Sequence, residues 1–305
     1  MAIYSGHNSQ EAHLGLEQKV RENIAGIIIR LSIHITKEFI NNFPGISFIG
    51  SPTTGVTHFQ EEIVEGYKGI NIYTLRNSMR KIKNITATSE HTLALMLALT
   101  RNLTRYTESV VEKNKWEREL YVGNQLSTKT IGIIGFGRIG KQVAKVCAAM
   151  SMNILVSDIK RDIDFTEYAY VVNSSLDTLL TESDIISIHA SYNHGDPPIL
   201  NKDNLSKIKR GTLLINTARG ELIDENALQA SIKSGVLKGV ALDVLEKESE
   251  WKESGITHPL ARLARNGYNV LITPHIAGCT LESMQATELV LSKQIIATLK
   301  GGTDE

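Results

Sequence analysis

Cysteine is nearly absent from this chain of 305 residues, where only Cys147 and Cys279 occur. Two thiols cannot build a disulfide framework, and neither stands among other ligand types at metal-site spacing, so both are expected reduced and no metal site is expected. No apolar run approaches the roughly 20 residues that a membrane span requires, and Met1 to Gln18 lacks a basic stretch with an apolar one behind it. Net charge is missing too: 33 Lys and Arg balance 33 Asp and Glu. No global field therefore recruits nucleic acid, an acidic membrane or a strongly charged partner. These absences point to a small-molecule partner and a cytoplasmic location. Repeats and low-complexity linkers are also lacking.

What is present is apolar substance for packed cores, 42% of the residues, in a chain long enough for two domains. From Ala25 onward, short β-branched runs alternate with helical patterns, the signature of parallel strands joined by crossover helices. The N-terminal strands are expected at AGIIIR (25–30), ISFIG (46–50) and INIYTL (70–75), with helices near 35–42 and 59–66. One long helix is expected over 89–115, bridging two domains. A second, more regular series follows: TIGIIG (130–135), NILVSD (153–158), DIISIH (184–189), TLLINT (212–217), GVALDV (239–244) and NVLITP (269–274).

The first strand of that second series runs directly into Gly135-Phe136-Gly137-Arg138-Ile139-Gly140 and then into a helical stretch over 138–150. Strand, glycines and helix in that order make a dinucleotide-binding turn. The first glycine permits the tight turn, the second lets a pyrophosphate approach the backbone, and the third lets helix and strand pack closely. The helix N-terminus favours the anion, and Arg138 adds a cation. Asp158, 18 residues beyond Gly140, ends the next strand, where a carboxylate accepts from both adenosine-ribose hydroxyls and repels a 2′-phosphate. That favours NAD over NADP, although Lys160 and Arg161 nearby weaken the preference.

Three C-terminal segments carry reactive side chains: Asn216 to Gly220, Asp243 to Glu248, and Thr273 to His275. Each ends a strand, and ligands of doubly wound sheets gather at such ends. Reduction of a keto acid needs a cation for the carboxylate and carbonyl, a proton donor, and a group that tunes the donor. Each residue alone also has a plain reading, as a surface ion pair, a solvated face or a strand cap; the joint occurrence is what points to a site.

Together with TATSEHTLALMLAL (86–99), the segments GFGRIG, NTARGELID, GVALDV and TPHIAG make the chain resemble the D-isomer-specific 2-hydroxyacid dehydrogenase family, in its phosphoglycerate dehydrogenase-like branch, from about Ala25 onward. The resemblance implies an α/β fold of two doubly wound parallel-sheet domains: a Rossmann NAD domain (96–279) inserted in a flavodoxin-like substrate domain (1–95 plus 280–305). It implies Arg219 as carboxylate and carbonyl binder, His275 as acid/base and Glu248 as its paired carboxylate. A planar guanidinium suits a carboxylate, and a neighbouring carboxylate favours the protonated imidazole as donor. Thr217 and Asp243 are then expected near the nicotinamide carboxamide and His189 near the cofactor, with Ile139 and Ala218 completing the cofactor set. A homodimer through the NAD domain is implied as well, as is hinge closure carrying Thr54 and Gly55 toward Arg219 and His275.

The resemblance also places substrate carboxylate binding on the backbone of Thr53, Thr54 and Gly55. Ser51 stands where the branch usually has an arginine, which argues against a phosphorylated substrate held there. Arg76, Arg80, Lys81 and Lys83 offer either a substitute or, more commonly for basic loops, a solvated surface. His58 is expected to pack rather than to bind. Ser249 replaces a usual proline after Glu248. The stretch from Met1 to Gln18 lacks apolar alternation, so an edge element of the small domain is expected to be missing. The expected activity is NAD-dependent interconversion of a small 2-keto acid and its D-2-hydroxy acid; the alternatives are a non-catalytic NAD(H)-sensing protein and an inactive paralogue on the same fold.

Overall fold

Strands read as continuous apolar runs when both faces of a parallel sheet are covered, and two such sheets form here. The computed structural model describes residues 2–5, 16–30, 33–116, 118–120, 122–248 and 258–301. The chain divides into two compact units, one of Met1–Ile85, Asn193–Gly195 and Cys279–Glu305, the other of Thr86–Tyr192 and Asp196–Gly278.

The first unit holds a parallel sheet in the order β1-β2-β3-β4, made of β1 (Ala2–Ser5), β2 (Ile24–Ile28), β3 (Phe48–Gly50) and β4 (Asn71–Tyr73). Adjacent residues of a strand face opposite sides. Ile49 therefore joins Ile27, Phe39, Ile40, Phe43, Phe59 and Ile63 in one core, while Phe48 joins Tyr73, Leu75, Leu291 and Ile295 in another. Helix Lys37–Asn41 supplies Phe39 and Ile40 to the first, and helix Leu281–Leu299 supplies Leu291 and Ile295 to the second. β1 corrects the expectation of a missing edge element. Four residues at the sheet edge are too short to display a period of two, so the pairing of Ala2–Ser5 with β2 left no pattern in the sequence.

In the second unit a seven-stranded parallel sheet runs β11-β10-β9-β8-β5-β6-β7. Its strands are β5 (Thr130–Ile134), β6 (Asn153–Ser157), β7 (Val171–Asn173), β8 (Ile185–Ile188), β9 (Thr212–Asn216), β10 (Leu237–Leu242) and β11 (Val270–Ile272). β7 was not anticipated; it is a three-residue edge strand. The order reverses direction between β5 and β8, the switch point at which doubly wound sheets bind ligands. Helices Ala87–Arg101 and Arg138–Ala149 cover one face, burying Leu95, Met96, Leu99, Val143 and Ala144 against Ile131, Ile133 and Ile215. Helices Leu176–Glu182, Glu225–Lys233 and Pro259–Arg265 cover the other, with Leu179, Leu228, Ile232 and Leu260 against Ile186, Leu214 and Val240.

Two sequence expectations change. The single helix expected over 89–115 is two helices, Ala87–Arg101 and Leu103–Val111, because Asn102 takes the left-handed conformation (φ 50°) that asparagine tolerates and that ends a helix. The boundary between units falls at Ile85/Thr86, so both of these helices lie in the second unit. Neither cysteine is in a disulfide; Cys147 lies in the core, where burial pushes its thiol up to about 12, and Cys279 is exposed. Among the described residues, no helix is long and apolar enough to cross a membrane.

Candidate active site

Parallel pairing sets one row of residues across the second sheet. Ser157, Ile134, Ile188, Asn216, Leu242 and Ile272 are register partners from β6 through β5, β8, β9 and β10 to β11. The next residue on each strand is the first to leave the sheet at its carboxyl edge: Asp158, Gly135, His189, Thr217, Asp243 and Thr273. Every segment singled out in the C-terminal half thus begins at one line, on one edge.

At the switch point the glycine turn is closed on two sides and open on a third. Gly135 adopts φ +92°, and a Cβ there would lie 2.6 Å from the Ala190 amide nitrogen. A Cβ on Gly140 would lie 2.2 Å from the Gly135 carbonyl oxygen, so helix Arg138–Ala149 packs against the turn at van der Waals contact. Gly137 caps that helix, and a Cβ on it would meet nothing within 4 Å. The open side is a cradle of backbone at a helix N-terminus, the environment that suits a pyrophosphate. Arg138 opens the helix half-buried, and that burial pushes its guanidinium below the ordinary value. Ile139 is the second helical residue.

Asp158 is tied to this turn. Its Oδ2 accepts from the Phe136 N–H at 2.6 Å and its Oδ1 from the Lys160 N–H at 2.8 Å. Phe136 is stacked on Phe165 and edge-on to Tyr168, which braces the turn from below. His189, beside Gly135, bonds through Nε2 to Ser187 Oγ at 2.9 Å, while its Nδ1 is buried and has no hydrogen-bond partner. Burial pushes this imidazole down to about 3, so it is neutral at physiological pH.

Beyond β10, the buried carboxylate of Asp243 organises the third segment. Oδ1 accepts from Thr273 Oγ1 at 2.5 Å and from the Ile276 N–H at 2.9 Å, and Oδ2 accepts from the Ala277 N–H at 2.8 Å. The Asp243 carbonyl accepts from the His275 N–H at 2.8 Å. These bonds hold His275 at φ 53°, a conformation that a non-glycine side chain adopts only when its surroundings impose it. So held, the His275 imidazole meets Glu248, with Nδ1 hydrogen-bonded to Oε1. A carboxylate only accepts, so Nδ1 carries the proton of that bond and Nε2 is the nitrogen that exchanges one.

Arg219 follows β9. Asn216 fixes its backbone from both sides, donating from Nδ2 to the Arg219 carbonyl at 2.8 Å and accepting from the Ala218 N–H at 2.9 Å. Arg219 Nη1 donates to the Ala218 carbonyl at 2.6 Å. Burial pushes the guanidinium down from its ordinary value, opposed by the Glu248 and Glu221 carboxylates, and it remains a cation. Gly220 must be glycine: a Cβ would lie 2.0 Å from the Leu245 carbonyl carbon, so the chain after β9 rests directly on the chain after β10. Arg219, Glu248 and His275 are thus joined through backbone contact as well as charge.

Thr53, Thr54 and Gly55 belong to the first unit. Thr53 Oγ1 donates to the Gly55 carbonyl at 2.8 Å, and Ser51 Oγ lies 3.0 Å from Thr53 Oγ1 and 2.9 Å from His58 Nε2. His58 is buried against the Phe59 ring and holds the loop from beneath. Thr54 is exposed at the tip. Arg76, Arg80, Lys81 and Lys83 all lie at the surface, with Arg76 Nη2 donating to Asn193 at 3.1 Å. Ser249 lies outside the described residues.

Sequence reasoning missed residues that act across long sequence separations. His91 donates from Nε2 to Thr273 Oγ1 at 3.1 Å, since that hydroxyl already gives its proton to Asp243. Thr92 Oγ1 donates to the Thr88 carbonyl at 2.8 Å and is 2.9 Å from Thr217 Oγ1, so the Thr217 hydroxyl donates to it. Glu225 bonds the Glu246 N–H at 2.9 Å. Segment 86–99 carries part of the family resemblance but does not show what His91 and Thr92 touch.

Residues 93–277 match the family described as D-isomer specific 2-hydroxyacid dehydrogenase, NAD binding domain. The chain is 33% identical over 287 residues to D-3-phosphoglycerate dehydrogenase of Archaeoglobus fulgidus, a match covering 93% of this chain and 52% of that protein. It is 32% identical over 292 residues to glyoxylate reductase of Thermofilum pendens, covering 94% of this chain and 81% of that one. The chain spans about half the length of the phosphoglycerate dehydrogenases it matches. Among solved structures, D-lactate dehydrogenase from Aquifex aeolicus complexed with NAD and lactic acid is similar, with a TM-score of 0.79 at 30% identity over 94% of this chain and 86% of that chain. The open glycine cradle, the helix N-terminus behind it and Asp158 at the next strand end fit the same dinucleotide, and the cofactor is NAD. By sequence match, by fold and by the residues at the sheet edge, the chain belongs to the D-isomer specific 2-hydroxyacid dehydrogenase family.

Proposed function

We propose that the chain is an NAD-dependent oxidoreductase that interconverts a small 2-keto acid and its D-2-hydroxy acid. The observation that carries this reading is His275 held against Glu248 on the sheet edge that also bears the glycine cradle, with the half-buried cation Arg219 one strand away. In this reading Gly135, Gly137, Arg138, Ile139 and Gly140 hold the pyrophosphate, and Asp158 reads the ribose. Thr217, Ala218 and Asp243 border the nicotinamide end, and neutral His189 lies beside the turn. When bound, NADH supplies the hydride. Arg219 binds the substrate carboxylate and polarises the keto oxygen. His275, protonated and oriented through Nδ1 by Glu248, gives its Nε2 proton to the oxygen as the carbonyl becomes an alcohol, and takes it back in the reverse direction. The first unit is proposed as the substrate domain, with the N–H groups of Thr53, Thr54 and Gly55 for the substrate carboxylate.

A homodimer through the second unit is part of the proposal. Helix Leu103–Val111 leaves Leu103, Val110 and Val111 exposed, and Trp116 (86% exposed) and Val122 (82%) follow it, an apolar set that a second copy would cover. The lack of a disulfide and balanced charge suit a cytoplasmic enzyme.

Replacing His275 by Asn should lower turnover of a reducible 2-keto acid by roughly 10²–10⁴-fold and leave NADH affinity near that of the unaltered protein; retained turnover would remove His275 as acid/base. Asp158→Ala should narrow the preference for NADH over NADPH, read as the ratio of the two kcat/KM values, and an unchanged ratio would mean that Asp158 does not read the ribose. Sedimentation equilibrium should give twice the chain mass, and a monomer at all concentrations would refute the dimer.

A further inference from the structure

Glu225 opens helix Glu225–Lys233 and carries no motif signal, yet both of its carboxylate oxygens are engaged. Oε1 accepts from the Glu246 backbone N–H at 2.9 Å, and Oε2 from His258 Nε2 at 2.8 Å, with side chains 15% and 5% exposed respectively for Glu225 and His258. His258 Nδ1 accepts from the Leu260 N–H at 3.2 Å, capping helix Pro259–Arg265. That fixes the tautomer: Nδ1 is the acceptor, so Nε2 carries the proton and donates it to Glu225.

The Glu246 N–H lies in the peptide that joins Leu245 to Glu246, and that peptide is the one seated on Gly220, next to Arg219. Two residues on, Glu248 reaches His275. Lys247, between them, adopts φ 55°. The direction in which Glu248 leaves the backbone is therefore set by a sharp left-handed step, and the starting point of that step is the peptide that Glu225 grips.

We infer that Glu225 is a positioning residue for the acid/base pair: its carboxylate fixes the Glu246 peptide and so aims Glu248 at His275 Nδ1, while His258 holds Glu225 in the orientation that does this. The inference rests on the reading of His275 and Glu248 as that pair. Glu225 touches none of the reacting groups and acts through Glu248. A carboxylate is required because it must accept on both oxygens; an amide turns two donor hydrogens toward one of the two donors it faces.

The test uses Glu225→Gln, Glu248→Gln and their combination. Glu225→Gln should lower kcat about 10-fold with KM for NADH unchanged, and in the Glu248→Gln background it should cost nothing further, the signature of two residues acting through one contact. A second readout needs neither cofactor nor turnover: the imidazole proton of His275 bonded to Glu248, observed by NMR in the cofactor-free protein and assigned by its loss in Glu248→Gln. It should shift or vanish in Glu225→Gln, and also in His258→Asn, whose side-chain oxygen can retain the helix cap while the bond to Glu225 is lost. An unmoved resonance in these variants, or kcat losses that multiply in the double variant, would overturn the inference. Because the resonance is read without turnover, failure of the proposed reaction and failure of this inference are distinguishable.

Discussion

One buried carboxylate, that of Asp243, governs the geometry of the sheet edge that carries His275. Asp243 accepts from the Thr273 hydroxyl and from the N–H groups of Ile276 and Ala277, while its own carbonyl takes the His275 N–H. Those contacts hold a histidine in a left-handed conformation that costs about 1–3 kcal/mol and would otherwise relax. Without them the imidazole would have no fixed relation to Glu248, and the buried Ala277 N–H would be left unpaired at about 1–3 kcal/mol. A residue expected near the cofactor is thus also the bracket on which His275, the proposed acid/base, hangs, and His91 extends that bracket to helix Ala87–Arg101 through Thr273.

Topology does the gathering. With all seven strands parallel and in register, the residues that leave the sheet after β6, β5, β8, β9, β10 and β11 emerge along one line. The reversal of strand order between β5 and β8 opens the crevice beside the glycine turn. Arg219, Glu248 and His275 follow strands to one side of it, and Asp158 follows a strand on the other. Close backbone packing then replaces side-chain scaffolding: Gly140 against the Gly135 carbonyl, and Gly220 against the Leu245–Glu246 peptide, each lets two segments touch where any Cβ would force them apart. The first unit has its own version of this economy in a buried Ser51–His58 pair that holds the Thr53–Gly55 loop.

What the sequence disclosed follows from whether a signal is local. The glycine turn was legible because its strand, glycines and helix are contiguous, and the long strands because both faces of a parallel sheet demand apolar residues. Ala2–Ser5 and Val171–Asn173 were not legible, since three or four residues at a sheet edge need no pattern. The break at Asn102 was hidden inside a helical periodicity that continues on either side of it. Arg219, Glu248 and His275 stood out because their segments recur together in a known family. Thr92, His91 and Glu225 did not, because what each does depends on a partner 125, 182 or 21 residues away, and only folding supplies the pairing.

The most direct measurement of the central claim is NADH consumption with glyoxylate, pyruvate, hydroxypyruvate, 2-oxoglutarate and phosphohydroxypyruvate in turn, followed by chiral analysis of any chiral product. The geometry predicts that at least one of these acids is reduced, with a D-configured product where one is chiral. Saturable NADH binding with no reduction of any of them would contradict it.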